Sequence, residues 1–440
     1  MDPGNWATDI EAGSRYGYSL LFVVLLSNLM AMVLQHLCVR LGVTTRMDLA
    51  QACRMRMPKW ANLPMYLLAE IAIISCDLAE VIGTAIALKL LFGIPIIYGV
   101  LLTVCDVLLL LAGLGANGEN DDRAYKWLEG LVIVLMSVIG LCFVVELFIV
   151  KPVWSQVAYG FLPFSSARLM FDKHALFSAL GIIGATVMPH NLYLHSAIVQ
   201  HRLPKEENVE EPKLDDRMRL NEPQLDEDSP STLATIINYT TADSTIALFL
   251  AMFINAAILI VGAAAFHARG QTDVQHIEDA SALMREWLGP LSAALFGCAL
   301  LAAGQSSTVT GTMAGQIVFE GHLQMQMKPW LRRLVTRAVA IVPAVLIILV
   351  AGADSINTLL IYSQVILSFQ LPFAIIPLTI FAFTPLPTTD PALREYWSDR
   401  KTSRWEPLLK MSAGLIALLL VVLNVLYLFT AAHDWLIGAH

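Results

Sequence analysis

Two short polar motifs interrupt apolar segments of this 440-residue chain, and their side chains are of types that bind metal ions or carry protons. The first is Asp2-Pro3-Gly4-Asn5 and the second is Met188-Pro189-His190-Asn191. Two hydrophobic segments broken by Pro or Gly at corresponding places in two halves of a membrane protein point to a substrate site. Pro189 has no N–H group, so the Ala185 carbonyl loses its helical hydrogen bond close to Met188. We therefore predict that the two motifs meet at one buried polar site.

The predicted site offers a divalent cation four donors, which are the Asp2 carboxylate, the Asn5 amide oxygen, the Ala185 carbonyl and the Met188 thioether. Oxygen donors attract any hard divalent cation, whereas sulfur favours Mn, Fe, Co or Cd over Mg and Ca. A methionine beside a proline is often only a core residue, but the pairing of two broken segments favours the ligand role. Gln364, inside the apolar run 356–383, offers a further amide oxygen or an interhelical hydrogen bond.

Candidate proton carriers lie beside this site and on one predicted helix. His190 follows Met188 by two positions, and an imidazole near a metal carboxylate can take or release a proton near neutral pH. The apolar run 62–92 contains three carboxylates whose spacing places them on one helical face, namely Glu70, Asp77 and Glu80. Such a stripe cannot face lipid. It indicates a proton relay or ion pairs with Arg332 and Arg333, and the two readings are compatible because ion pairing shifts pKa values.

The composition places these motifs in a membrane protein. Hydrophobic residues make up 57% of the chain and charged residues 15%, against about 25% charged in soluble proteins, and the mean hydropathy is +0.64. Apolar runs of about 20 residues, enough to cross a bilayer, lie at 18–37, 62–92, 94–114, 127–150, 174–199, 234–265, 287–317, 335–352, 356–383 and 408–431. The stretch 2–16 is too short to cross. The sequence predicts an all-α polytopic membrane protein with about 10 full transmembrane helices plus a half helix 1 at the N-terminus.

The charges give an orientation and exclude one class of partner. The net charge of −8 comes without a basic stripe that would bind nucleic acid. Lys and Arg concentrate in the connection after 18–37 and in those near 320–335 and 385–407, which predicts that these face the cytosol. Residues 202–231 are rich in Glu, Asp and Pro and predict a disordered acidic cytosolic loop. Whether the protein sits in the plasma membrane or in a vacuolar or endosomal membrane does not follow from these patterns.

Four motifs in order resemble the Nramp family (natural resistance-associated macrophage proteins) of proton-coupled divalent metal transporters. They are Asp2-Pro3-Gly4-Asn5, Asp77-Leu78-Ala79-Glu80, the segment 184–191 (GATVMPHN) and the segment 304–321 (GQSSTVTGTMAGQIVFEG). The resemblance implies a LeuT-type inverted-repeat transporter fold. The implied metal ligands are Asp2, Asn5, Ala185, Met188 and Gln364. The positions that it ties to proton movement are Asp2, His190, Glu70, Asp77, Glu80, Arg332 and Arg333.

The same resemblance predicts the organisation and activity of the chain. We expect one transporter domain over 1–440, with a truncated first repeat at 1–150, a second repeat at 174–383 and an additional helix at 408–431. Relative to the family pattern, the chain is expected to lack an N-terminal tail and the first half of helix 1. The expected activity is import of Mn²⁺ or Fe²⁺ into the cytosol by symport with protons, by a monomer without a cofactor.

Two other classes of function have weaker support in the sequence. A truncated, non-transporting relative that acts as a metal sensor or inert partner is the alternative, and the absent half-helix is its best support. A membrane enzyme has little support, because the sequence has no nucleophile elbow and no phosphate-binding loop after a strand.

Overall fold

The computed structural model describes residues 2–438 apart from 104–121, 168, 170–171, 204–229, 273, 275–276, 326, 353–354, 386–390 and 403–404. Within this part the chain forms helices and no strand. We label the main helices α1 Pro3–Tyr16, α2 Leu21–Thr45, α3 Leu49–Arg56, α4 Lys59–Phe92, α5 Asp122–Val150, α6 Lys173–Val187, α7 Pro189–Ile198, α8 Pro230–Ala265, α9 Ile277–Leu288, α10 Pro290–Leu323, α11 Pro329–Ala351, α12 Ser355–Ala382, α13 Pro391–Thr402 and α14 Glu406–Gly438.

The long helices coincide with the predicted apolar runs. Among the described residues, eight helical segments are long and apolar enough to cross a membrane, and Leu334–Val350 is a shorter apolar helix. The half-helix predicted at 2–16 is α1, which joins α2 through the 3₁₀ turn Gly17–Leu20. The run predicted at 94–114 lies mostly outside the described residues, although 96–103 are helical. The acidic loop predicted at 202–231 also lies outside the described residues, apart from its ends.

The connections contain helices that the sequence analysis did not predict. The connection at 266–286 includes most of α9, which buries Ile277, Ala280, Ser281 and Met284 along one face. Two further short helices, Trp154–Gly160 and Pro163–Ala167, follow α5. Each element is too short for a transmembrane run. For α9 the sequence did hold a usable signal, because its four buried residues have the spacing of one helical face.

Both predicted breaks are present and each has a local cause. Asp2 caps α1, because its Oδ2 atom accepts a hydrogen bond from the Gly4 N–H at 2.9 Å, and Pro3 occupies the first helical position. The predicted run 174–199 is divided into α6 and α7. Met188 ends α6, and its N–H bonds the Gly184 carbonyl at 3.2 Å before Pro189 starts α7. The two discontinuities therefore leave helix ends inside the bundle.

Close helix packing brings these ends together. Helix α1 packs along α8, α6, α12 and α4, and α12 packs along α6. A Cβ atom added to Gly184 would collide with the backbone carbonyl of Gln364, so α6 and α12 touch backbone to backbone at this level. A Cβ atom added to Gly181 would lie 2.9 Å from Cγ2 of Thr8, so α6 also packs against a side chain of α1.

Candidate metal site

The first predicted ligand, Asp2, is fully buried at the start of α1. Its Oδ1 atom accepts a hydrogen bond from the Ser307 hydroxyl of α10 at 3.2 Å, while Oδ2 caps α1. The Cys76 thiol of α4 lies 4.0 Å from Oδ1. The carboxylate is thus held by one hydroxyl, one backbone amide and a weak thiol contact. None of these groups supplies a positive charge.

The second break carries Met188 in an unusual backbone conformation. Its φ of 49° and ψ of 106° place a residue with a long side chain where φ is positive. The Met188 sulfur accepts a hydrogen bond from the Asn191 side chain at 3.3 Å. Pro189 has no hydrogen to donate to the Ala185 carbonyl, and Ala185 is buried. A freed carbonyl and a thioether therefore occur within four residues at the end of α6.

Gln364 of α12 connects the two breaks. A Cβ atom added to Gly4 would collide with the Gln364 carboxamide and would lie 2.5 Å from Asp2 Oδ2, so this side chain lies directly against the start of α1. Its backbone lies against Gly184 of α6. The side chain is fully buried and donates to Ser363 at 3.0 Å. The Oε1 atom of Gln364 has no hydrogen-bond partner among the residues that the structure describes.

Asn5 presents a second amide oxygen of the same kind. Its Nδ2 group donates to Oδ1 of Asn255 in α8 at 2.8 Å, which fixes the orientation of the amide. The Asn5 Oδ1 atom is buried and accepts no hydrogen bond within the described part of the chain. Buried acceptors without a donor are uncommon and costly. Such an acceptor lies within one helical turn of Asp2 at Asn5, and another lies beside Asp2 at Gln364.

The acidic face of α4 is partnered by two arginines of α11. Glu70 accepts two hydrogen bonds from Arg332, at 2.9 and 3.0 Å. Glu80 accepts from Arg337 at 2.8 Å and from the Thr308 hydroxyl at 3.1 Å. The ion-pair reading of the stripe is therefore confirmed for Glu70 and Arg332. Arg333 lies on α11 as well, and its side chain is outside the described residues.

A chain of polar contacts joins the two groups of residues. Ser307, which donates to Asp2, lies 3.6 Å from the Cys76 thiol, and that thiol lies 3.9 Å from Glu80 Oε1. Asp77 and His190 are both buried, on α4 and α7 respectively. The structure thus brings Asp2, Cys76, Ser307 and Glu80 into one connected series.

Sequence reasoning missed three members of this arrangement. Ser307 and Cys76 carry no charge and follow no ligand spacing. The motif at 304–321 marked the segment that contains Ser307 but not its contact with Asp2, and Cys76 had no signal. Arg337 had a usable signal, since an arginine inside the apolar run 335–352 needs a buried partner. Among the described residues no three His, Cys, Asp or Glu side chains are grouped as a metal cluster. The predicted ligand set contains a single carboxylate, so it would not form such a group.

A helix bundle in which two discontinuous helices have their breaks against one buried polar side chain, here Gln364, matches the architecture of secondary transporters. The fold is confirmed by its similarity to MhsT bound to L-phenylalanine, with a TM-score of 0.53, 15% identity and coverage of 96% of this chain and 98% of that chain. The protein is therefore an all-α, multi-pass membrane protein with the LeuT-type transporter fold.

The family follows from closer similarities. A family model described as "Natural resistance-associated macrophage protein-like" matches residues 1–430, and the chain belongs to this Nramp family of membrane transporters. The divalent metal cation transporter MntH of Xanthomonas campestris pv. campestris is 52% identical over 87% of this chain and 79% of its own length. The structure of the manganese transporter of Eremococcus coleocola in complex with an aromatic bis-isothiourea compound matches with a TM-score of 0.74 and 34% identity. The match covers 98% of this chain and 91% of that chain.

Proposed function

We propose that this protein is a secondary active transporter that carries divalent transition metal ions, Mn²⁺ or Fe²⁺, into the cytosol together with protons. The observation that carries the proposal is the pair of buried amide oxygens, Asn5 Oδ1 and Gln364 Oε1, that have no hydrogen-bond partner among the described residues. Both lie near the Asp2 carboxylate, whose described contacts (Ser307, the Gly4 amide and Cys76) carry no positive charge. A divalent cation at this point satisfies all three groups at once.

The proposed ligands are the side chains of Asp2, Asn5, Met188 and Gln364 and the carbonyl of Ala185. Several oxygens and one sulfur suit Mn²⁺ and Fe²⁺ better than Mg²⁺ or Ca²⁺, which prefer oxygen alone. A single carboxylate also keeps the site weak enough for the ion to leave. The cargo is thus a substrate rather than a resident cofactor.

The proposed proton route starts at Asp2 and follows the contacts through Ser307 and Cys76 to Glu80, whose carboxylate pairs with Arg337. The Glu70–Arg332 pair lies ten residues away along the same face of α4. Buried carboxylates beside arginines can exchange a proton when the pair opens, because the partner controls the charge of the carboxylate. We assign His190, Asp77 and Arg333 to the same route.

The proposed organisation follows the inverted repeats of the fold. The first repeat comprises 1–150 and contains the break at Asp2, and the second comprises 174–383 and contains the break at Met188. The helix at 408–431 lies outside both repeats. We propose that the transporter acts as a monomer, because the ligand set comes from α1, α6 and α12 of a single chain.

Uptake into proteoliposomes tests this function. With an acidic exterior, the wild-type protein should accumulate Mn²⁺ and acidify the lumen, as followed by a metal-sensitive and a pH-sensitive dye. Asp2→Ala should abolish both signals, because the ion loses its single anionic ligand. Glu146→Gln is the matched control: this membrane carboxylate is bonded to Ser292, between α5 and α10, and should be dispensable for uptake.

Two outcomes would contradict the proposal in different ways. If neither Asp2→Ala nor Met188→Ala changes Mn²⁺ uptake, these residues are not the metal ligands. If Mn²⁺ raises the melting temperature of the wild-type protein but the protein moves no ion, the alternative function, a metal sensor, holds instead.

A further inference from the structure

Asp9 is a buried carboxylate for which the proposed metal transport has no use. It lies in the middle of α1 with 1% of its surface exposed. Its Oδ1 atom has no hydrogen-bond partner in the described part of the chain. The nearest basic residue on the same helix, Arg15, pairs with Glu11 at 3.5 Å. An ionised carboxylate within a membrane needs a cation beside it. The described residues supply none to Asp9, so an ionised Asp9 calls for a bound cation.

The neighbours of Asp9 on α1 locate it against α8. Asn5, Asp9 and Gly13 are spaced four residues apart and lie on one face of the helix. Asn5 contacts α8 through its hydrogen bond to Asn255. At Gly13 the two helices touch, because an added Cβ atom would lie 2.9 Å from the Ala263 nitrogen. Asp9 therefore sits between two contacts with the same helix, in the seam between α1 and α8.

Two unsatisfied acceptors thus share this seam. The Asn5 Oδ1 atom, which also has no hydrogen-bond partner among the described residues, lies one helical turn from Asp9. Side chains four residues apart on a helix have Cβ atoms about 5–6 Å apart, so one small ion can reach both oxygens. All the candidate ligand atoms here are oxygens, and hard cations prefer oxygen ligands. One carboxylate and neutral amides balance a single positive charge, whereas a divalent ion would leave a net charge buried.

We propose that Asp9, Asn5 and Asn255 form a binding site for a monovalent alkali cation, Na⁺, between α1 and α8. The Asp9 carboxylate supplies the charge and the Asn5 oxygen a second ligand, while Asn255 holds the Asn5 amide in place. The close contact at Gly13 closes the seam on the side of Asp9 away from Asn5. This site goes beyond the proposed metal transport, with which it shares only Asn5.

The shared asparagine gives the site a consequence for metal binding. An amide oxygen has two lone pairs, so Asn5 can face the metal on one side and Na⁺ on the other. Na⁺ bound in the seam fixes the orientation of Asn5 and the position of α1 against α8. We expect Na⁺ to increase the affinity for Mn²⁺, and Mn²⁺ to increase the affinity for Na⁺ by the same factor, because such coupling is reciprocal.

Thermal unfolding of the purified full chain in detergent tests the site without requiring transport. At constant ionic strength, exchange of choline chloride for NaCl should raise the melting temperature by about 2 °C once Na⁺ exceeds its Kd tenfold. Asp9→Asn keeps the shape of the side chain and should remove this shift, while the shift caused by Mn²⁺ remains. Asp2→Asn should show the opposite pattern, so failure of the Na⁺ site and failure of the metal site are distinguishable.

The control for a general effect of charge on α1 is Glu11→Gln. The Glu11 carboxylate accepts from Ser178 at 3.1 Å and pairs with Arg15, so its removal should leave the Na⁺-dependent shift intact. A wild-type protein without a Na⁺-dependent shift, or a shift that persists in Asp9→Asn, would overturn the proposal. A third outcome would also overturn it: the melting temperatures of Asp9→Asn and of the wild type differ in their dependence on pH but not in their dependence on Na⁺. Asp9 would then bind a proton rather than Na⁺.

Discussion

Met188 holds a backbone conformation that is costly for a residue with a side chain. Its positive φ of 49° occurs where α6 ends, and Pro189 begins the next helix in the following position. Non-glycine residues in such regions cost about 1–3 kcal/mol and persist where the surrounding structure holds them. Here the cost coincides with a thioether and a freed carbonyl beside buried polar groups. The strain supports a functional role for the break, since a continuous helix would be cheaper.

The role of the Met188 sulfur leads to a prediction about ion selectivity. Met188→Ala removes one soft ligand from several, so Mn²⁺ uptake should persist while Ca²⁺ competes about tenfold more strongly, equivalent to about 1.4 kcal/mol. Uptake of Mn²⁺ in the presence of increasing Ca²⁺ measures this. Met188→Leu, which keeps the volume but not the sulfur, should show the same change. Met284→Ala, at a buried methionine of α9, should not. Unchanged Ca²⁺ competition in both Met188 variants would exclude a ligand role for the sulfur.

Residue types and the pairing of Glu70 with Arg332 could be predicted from the sequence here, whereas the other partners could not. The break at Pro189 follows from the chemistry of proline, and the charged face of α4 follows from helical spacing. The pairing of Glu80 with Arg337 depends on the rotation and height of α11 against α4, which side-chain packing sets. The family resemblance put Gln364 in the same ligand set as Asp2, but the residues alone do not place its side chain against Gly4, because the two are far apart in the chain.

Helices α6 and α12 form the contact that positions the second break. Gly184 lies one turn before Met188, and its missing side chain lets the α12 backbone approach at Gln364. The proposed ligands Ala185, Met188 and Gln364 therefore depend on this one contact. The spans of these helices were predictable because an apolar run must match the bilayer thickness. The contact between them could not be predicted, because small residues that allow such close packing occur along many of the apolar runs.

We expect Gly184→Ala to destabilise the protein, because its Cβ atom has to displace the α12 backbone rather than a flexible side chain. The melting temperature in detergent should fall, and Mn²⁺ should stabilise the variant less than the wild type. Gly414→Ala on α14 is the matched control. No atom lies within 4 Å of its added Cβ, so the same substitution there should leave stability unchanged or slightly raised. Equal melting temperatures for the two variants would refute the close contact.

At the scale of the whole molecule, a buried ion pair joins elements that are distant in the sequence. Arg40 of α2 donates to both carboxylate oxygens of Glu406 in α14, at 2.8 and 2.9 Å. Its guanidinium also lies over the rings of Phe383 and Trp397, at 4.8 and 4.7 Å from their centres. The four residues come from α2, the end of α12, α13 and α14. The basic residues after 18–37 and in 385–407 were predicted to lie in connections, which indicated a side of the membrane but not this contact. Arg40, the first of them, lies instead inside α2 and is buried.

Because the Arg40–Glu406 pair is buried, loss of one partner should cost more than loss of both. Glu406→Gln leaves the buried Arg40 charge without its partner, which costs about 3–5 kcal/mol, whereas an apolar replacement of a whole pair is often nearly neutral. Arg40→Met should cost less, because Glu406 keeps Lys410 at 4.0 Å. The melting temperature should therefore fall in each single variant and recover partly in the double variant. Asp243→Asn, which breaks the exposed pair with Arg202, should have no measurable effect. Additive losses in the double variant would show that Arg40 stabilises the bundle through Phe383 and Trp397 rather than through its charge.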